Sequence, residues 1–127
     1  MNVLVFGLPG SGKSTFAKQL VTDQLAYFNA DEIRKIYNDW DFTEEGRVRQ
    51  AERMFALTGL AKGSCIVDFV CPYDRFRPDY NITVWMNTIK ESRFKDTNKI
   101  FETPTEFDYE IKDYNYKKII NEIKDRL

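Results

Sequence analysis

Gly7-Leu8-Pro9-Gly10-Ser11-Gly12-Lys13-Ser14 decides how this chain is read. It fits Gly-x-x-x-x-Gly-Lys-[Ser/Thr] in full, the pattern of a phosphate-binding loop. Val3-Leu4-Val5-Phe6 before it is apolar and β-rich, and Thr15-Phe16-Ala17-Lys18-Gln19-Leu20-Val21 after it can be helical. Strand, glycine-rich turn and helix start form the context in which the pattern binds phosphate. The glycines let backbone N–H groups turn inward around a β-phosphate. The helix N-terminus adds the positive end of its dipole. Lys13 has the reach for β- and γ-phosphates, and Ser14 has the hydroxyl that ligates Mg²⁺. A glycine turn that binds nothing needs neither residue. Gly7, Leu8, Pro9, Gly10, Ser11, Gly12, Lys13, Ser14 and Thr15 are therefore the candidate site for ATP, with Mg²⁺ as its companion ion.

Composition narrows the classes. The 127 residues suffice for a single domain, 1–127, with a real core. At 43% hydrophobic and 31% charged the chain is globular. A net charge of −1 supplies no field toward nucleic acid or an anionic membrane. No apolar run approaches a membrane span, and apolar residues 1–6 are too short for a signal peptide. The expected location is the cytoplasm. Histidine is absent, which removes Ser-His-Asp and Cys-His catalysis and His-based metal sites. The base is then a carboxylate or a lysine. Cys65 and Cys71 make no zinc spacing, and a cytosolic disulfide is disfavoured. Packing or backbone positioning is their expected role.

The pattern alternates strands and helices, which means an α/β fold with a mostly parallel, about five-stranded sheet between two helical layers. Strands are expected at 2–6, 26–29, 64–70, 81–86 and 107–111. Helices are expected from the loop to Gln24, from Asp31 as cap to Asp39, from Thr43 as N-cap to Lys62, and over the Tyr116–Leu127 stripe. Val48, Ala51, Phe55 and Thr58 form the expected core stripe of the third helix. Only eleven residues separate Val70 from Ile82, so that crossover has no room for a full helix. Residues 88–101 read as a short helix and then a loop.

A donor-binding loop needs a partner that orients an acceptor hydroxyl. Asn29-Ala30-Asp31-Glu32-Ile33-Arg34 is the best candidate, because it follows the second strand at the carboxyl edge of the sheet, where ligands bind. Asp31 and Arg34 share a helix face. The carboxylate can take a hydroxyl proton while the guanidinium grips an anion; the alternative is a plain cap with an i,i+3 ion pair. Phe42, Arg47 and Gln50 suit an acceptor with a flat base and an anionic group. Arg49 and Arg53 read as a solvated face, and Arg75 fits either surface or ligand.

With these segments in order, the chain resembles adenylyl-sulfate kinase over about residues 2–75. Phe28-Asn29-Ala30-Asp31-Glu32-Ile33-Arg34 is similar to that family's Leu-Asp-Gly-Asp-Asn-x-Arg segment. Phe42-Thr43-Glu44-Glu45-Gly46-Arg47-Val48-Arg49-Gln50 is similar to its Gly-Phe-Ser-x-x-x-Arg-x-x-Asn, and Asp68-Phe69-Val70-Cys71-Pro72-Tyr73 resembles its Ser-x-Ile-Ser-Pro-Tyr. The resemblance implies transfer of the ATP γ-phosphoryl group to the 3′-hydroxyl of adenosine 5′-phosphosulfate. It implies Asp31 as base with Lys13 as the second catalytic residue. It also implies Arg34 and Arg47 on the phosphosulfate, Phe42 stacked on adenine, Gln50 in place of an Asn, and backbone at Val70 and Cys71 beside the base. The family commonly forms homodimers.

The departures carry information. Asn29 stands where the family has an Asp often linked to Mg²⁺, and Asp68 stands where it has a Ser. Asp68 closes an apolar strand, as the acidic Mg²⁺ anchor does in other phosphate-loop enzymes, so it is the candidate replacement. Cys71 replaces a serine sometimes assigned as phosphorylated, which favours direct in-line transfer. The family lid has no clear counterpart, and Arg93, Lys95, Asn98, Lys99 and Phe101 are candidates for an abbreviated one. Two other readings stand beside this one. One is a phosphate-loop kinase of another acceptor, such as a polynucleotide 5′-hydroxyl or a small metabolite. The other is a nucleotide-binding module without transfer.

Overall fold

The computed structural model describes all 127 residues. The chain runs β1 (Asn2–Phe6), α1 (Lys13–Leu20), β2 (Ala26–Asn29), α2 (Ala30–Tyr37), α3 (Glu44–Thr58), β3 (Cys65–Asp68), β4 (Ile82–Met86), α4 (Lys95–Ile100), β5 (Tyr109–Ile111) and α5 (Lys117–Arg126). The five strands form one sheet in the order β2-β3-β1-β4-β5, every pair parallel. The chain leaves β1 toward one side of the sheet and leaves β3 toward the other. The carboxyl ends of these neighbours therefore flank the crevice where α/β sheets bind ligands.

β1 is central and buried on both faces, so its alternating side chains feed two cores. Val3 and Val5 join Phe16, Leu20, Ile66, Val84 and Ile123 beneath α1 and α5. Leu4 and Phe6 join Ile33, Met54, Val67 and Phe69 beneath α2 and α3. Phe6 and Phe16 are fully buried, and each stabilises the fold by roughly 1.5–3 kcal/mol.

Several boundaries depart from the sequence expectation. α1 stops at Leu20, not Gln24, because Val21 turns extended and the Thr22 hydroxyl accepts from the Gln24 amide, starting a turn. α2 stops at Tyr37, where Asn38 takes a left-handed φ of 50°, a conformation asparagine tolerates. α3 ends at Thr58, four residues short of Lys62. β3 and β5 are shorter than expected, at four and three residues. Over residues 88–101 the expected order is reversed, with the loop first and α4 after it. The α3 stripe is also rotated: Arg47, Gln50, Ala51, Met54 and Thr58 are buried, while Phe55 is exposed and meets Tyr80 edge-on. Arg47 and Gln50, expected beside the core stripe and suited to an acceptor, line a cavity.

The β3–β4 crossover holds only a 3-10 helix, Asp74–Asp79, as its length requires. Arg77 organises it from within, 1% exposed. It lies between the rings of Phe6 and Phe101, donates to the carbonyls of Cys71 and Pro72, and pairs with Asp74 at 3.0 Å. The Glu102 amide donates to the Pro72 carbonyl, and the Glu102 carboxylate accepts from the Asp74 amide at 2.7 Å. These bonds clasp the end of α4 to the crossover.

Both cysteines are free and buried. Burial pushes the Cys71 thiol from its ordinary 9.0 up to about 12. The native chain should therefore show no thiol reactive to a disulfide reagent at pH 8, and two after unfolding in guanidinium. Because the fold holds the Cys71 thiol neutral, its contribution to stability is complete below pH 9 and is lost as pH rises toward about 12. Chemical denaturation across that range measures the loss.

Candidate functional site

The phosphate loop leaves β1 through backbone only glycine accepts. Gly7 has φ +151°, and a Cβ there would sit 2.6 Å from the Met86 carbonyl oxygen; Gly12, at φ +91°, sits at the start of α1. A turn bond from the Ser11 amide to the Leu8 carbonyl closes the loop, and the Thr88 hydroxyl ties the Ser11 carbonyl to the β4 edge at 2.7 Å. Pro9, Gly10, Gly12, Lys13, Ser14 and Thr15 line a cavity of about 960 Å³, at the upper end of the roughly 300–1,000 Å³ usual for ligand sites. Gly7, Leu8 and Ser11 lie behind it and shape the loop.

Lys13 folds back, donating to the Leu8 carbonyl at 3.0 Å. Burial lowers its pKa, opposed by the charges of Asp68 and then Asp31. Both carboxylates are thus electrostatic neighbours of one ammonium. Asp68 is 2% exposed, and its Oδ2 accepts from the Ser14 hydroxyl at 2.6 Å, the Tyr27 hydroxyl at 2.7 Å and the Asn29 amide at 3.0 Å. Burial, then the hydrogen bond to Asp68, pushes the Tyr27 hydroxyl up to about 12. A loop hydroxyl beside a carboxylate whose second oxygen takes no protein donor is a donor set that fits Mg²⁺.

Asn29, not Asp31, caps α2: its Oδ1 accepts from the Glu32 amide at 3.1 Å. Asp31 therefore falls in the first helical turn with its carboxylate open to the cavity. It makes no ion pair with Arg34, so the plain i,i+3 pair is not formed.

Arg34 and Arg47 are 5% and 8% exposed, and neither has a carboxylate partner within salt-bridge distance. Arg34 donates from one nitrogen to the carbonyls of Asp39 and Asp41. Arg47 donates to the Phe42 carbonyl at 2.8 Å and to the Thr97 hydroxyl at 3.3 Å. The Arg34 pKa is lowered, first by burial; the Asp39 charge opposes this, and the nearby Arg47 and Arg53 charges add to it. Both guanidiniums approach the half-exposed Phe42 ring. Gln50 lines the same wall and donates to the Ala30 carbonyl at 3.0 Å.

Arg53 corrects the sequence reading: it is half-buried, bonded to Gln50 and Asp39 at 2.7 Å each, and stacked over Tyr37. Arg49 also joins Asp39, at 2.8 Å, and these arginine hydrogen bonds hold the Asp39 carboxyl well below its usual range. Together they pin the Asn38–Phe42 loop. Val70 borders the cavity, but Cys71 does not: its φ of +46° turns the thiol into the core. Arg75 is exposed and stacks on Tyr73 and Phe76, away from the cavity. Arg93 and Lys95 line the cavity, whereas Asn98 caps the segment by bonding Ser92. Phe94, Asp96 and Thr97 complete that wall. Sequence reading missed these three along with Tyr27 and Asp39; Tyr27, Asp39 and Thr97 act through partners distant in the chain.

No protein-family model matches the chain, and no curated protein does. Solved structures do. A Mycobacterium tuberculosis APS kinase in complex with AMPPNP and APS superposes with a TM-score of 0.73 at 18% identity, covering 98% of this chain and 95% of that one. Shikimate kinase from Aquifex aeolicus gives 0.64 at 17% identity, covering 97% and 93%. A gluconokinase from Sinorhizobium meliloti gives 0.59 at 14% identity, covering 98% and 87%. The chain shares the fold of these three proteins, a five-stranded parallel sheet flanked by helices. No helix is long and apolar enough to cross a membrane.

Gly46 packs against the pinned loop so closely that a Cβ would lie 2.7 Å from the Asp41 carbonyl carbon. Gly46→Ala should displace that loop and cost about 2 kcal/mol, read as a lower midpoint in urea.

Proposed function

We propose that the chain is an ATP-dependent phosphotransferase, with Lys13 and the loop amides binding the donor and Asp31 receiving the acceptor's hydroxyl proton. The observation that carries this is the shared cavity. It holds a phosphate loop, a carboxylate with no protein partner, and two buried arginines with no carboxylate of their own. Buried guanidinium is costly without a counter-charge, so Arg34 and Arg47 favour an anionic acceptor. Phe42 supplies an open aromatic face beside them. The acceptor that combines an anion, a flat base and a hydroxyl, and that agrees with the motif resemblance, is adenosine 5′-phosphosulfate. Its 3′-hydroxyl is the group phosphorylated. The superposed APS kinase, solved with that ligand, supports the choice.

Asp31 takes the hydroxyl proton as the acceptor oxygen bonds the γ-phosphorus and the β,γ-bridging oxygen leaves with ADP. Arg34 and Arg47 hold the acceptor's anionic end, and Gln50 keeps that wall in place through Ala30 and Arg53. Ser14 and Asp68 would hold Mg²⁺, which neutralises charge on the transferring group. Thr97, reached by Arg47, brings α4 against the acceptor side and helps exclude water.

Incubation with ATP, Mg²⁺ and adenosine 5′-phosphosulfate should release ADP, and an oligonucleotide acceptor should not. Turnover with the oligonucleotide alone, or nucleotide binding without turnover, would overturn the assignment. Asp31→Ala should lower kcat at least about a hundredfold while sparing ATP affinity. Arg34→Ala and Arg47→Ala should each raise the acceptor KM about tenfold or more. Asp68→Asn should shift the Mg²⁺ titration to sharply higher concentration; an unchanged titration rejects Asp68 as the anchor.

A further inference from the structure

We propose that Tyr27 is a positioning residue for the metal-binding end of the loop: through Asp68 it keeps the Ser14 hydroxyl oxygen turned toward the divalent cation. The proposal rests on the phosphotransfer reading. Tyr27 and Asn29 are two apart on β2 and share a sheet face, and the register sets them beside Ile66 and Asp68 of β3. That face is the one covered by α1, which carries Ser14. Asp68 Oδ2 is the meeting point, accepting from Tyr27 at 2.7 Å, Asn29 at 3.0 Å and Ser14 at 2.6 Å.

A serine hydroxyl can ligate a cation through its oxygen only if its proton points elsewhere. Asp68 Oδ2 is where that proton goes. The carboxylate can serve only if it does not swing about its own Cβ–Cγ bond. Tyr27 and Asn29 prevent this by holding Oδ2 from the β2 side, which leaves Oδ1 for the ion or its water. Asn29 already spends its Oδ1 on the α2 cap, so its side chain is fixed in turn. Tyr27 gives Asp68 the one hydroxyl proton it has. Outer partners of this kind set the orientation and basicity of metal-holding groups, and losing one costs about tenfold or more in metal affinity.

Calorimetry with AMPPNP reads this without turnover. The wild-type chain should bind AMPPNP more tightly with Mg²⁺ than with EDTA. Tyr27→Phe, which keeps the ring, should lose about tenfold of that gain while its affinity in EDTA and its melting temperature stay close to wild type. In an Asp68→Asn background, Tyr27→Phe should change nothing further. An undiminished Mg²⁺ gain overturns the proposal, as does an equal loss with and without Mg²⁺, a further loss beside Asp68→Asn, or a variant that no longer folds. A wild-type chain that gains nothing from Mg²⁺ overturns the phosphotransfer reading itself. A normal wild-type gain beside an unaffected Tyr27→Phe removes only the role of Tyr27.

Discussion

One buried carboxylate oxygen ties the architecture of this protein to its site. Asp68 Oδ2 collects donors from α1 and from two positions of β2, while the backbone of Asp68 pairs in register with Val5 and Asn29. A carboxylate that is 2% exposed is tolerated only when hydrogen bonds and nearby positive charge replace its hydration. Three donors and the neighbouring Lys13 ammonium do that here. The same bonds fix how β2, β3 and the start of α1 meet, so the phosphate loop inherits its orientation from the sheet.

The wall of the cavity that carries Arg34 and Arg47 runs on the opposite logic. Arg34 and Arg47 are buried without carboxylate partners, while the exposed Arg49 next to them is fully paired with Asp39 and Asp41. Stability alone would favour pairing the buried ones. Leaving them without a carboxylate partner carries a cost in stability of the kind that functional sites commonly carry. The Asp39 network offsets part of that cost by pinning the loop whose carbonyls Arg34 uses.

A short chain also closes its cavity with little material. α4 spans only Lys95–Ile100, too short to be stable by itself. It is held by Phe101 against Arg77, by the Glu102 bonds to the crossover, and by Thr97 against Arg47. Arg77 thus links β1, the crossover and the far wall of the cavity.

The sequence by itself determined what neighbouring residues can impose on one another. The loop conformation follows from Gly7, Gly10 and Gly12, the α3 start from Thr43, and the order of strands and helices from the apolar pattern. The placement of Asp31 and Arg34 at the carboxyl edge follows from their position just after β2. The tertiary structure decided what depends on residues far apart. Ser14 meets Asp68 across 54 positions and Arg47 meets Thr97 across 50. The exposure of Phe55, expected in the core stripe of α3, was decided by how that helix sits against the sheet and Tyr80. The capping of α2 by Asn29 freed Asp31, and the left-handed turn at Cys71 withdrew its thiol. These outcomes rest on strand register, where a slip of one residue would send Tyr27 and Asn29 to the opposite face. Register is settled only when the whole sheet and both its cores pack together.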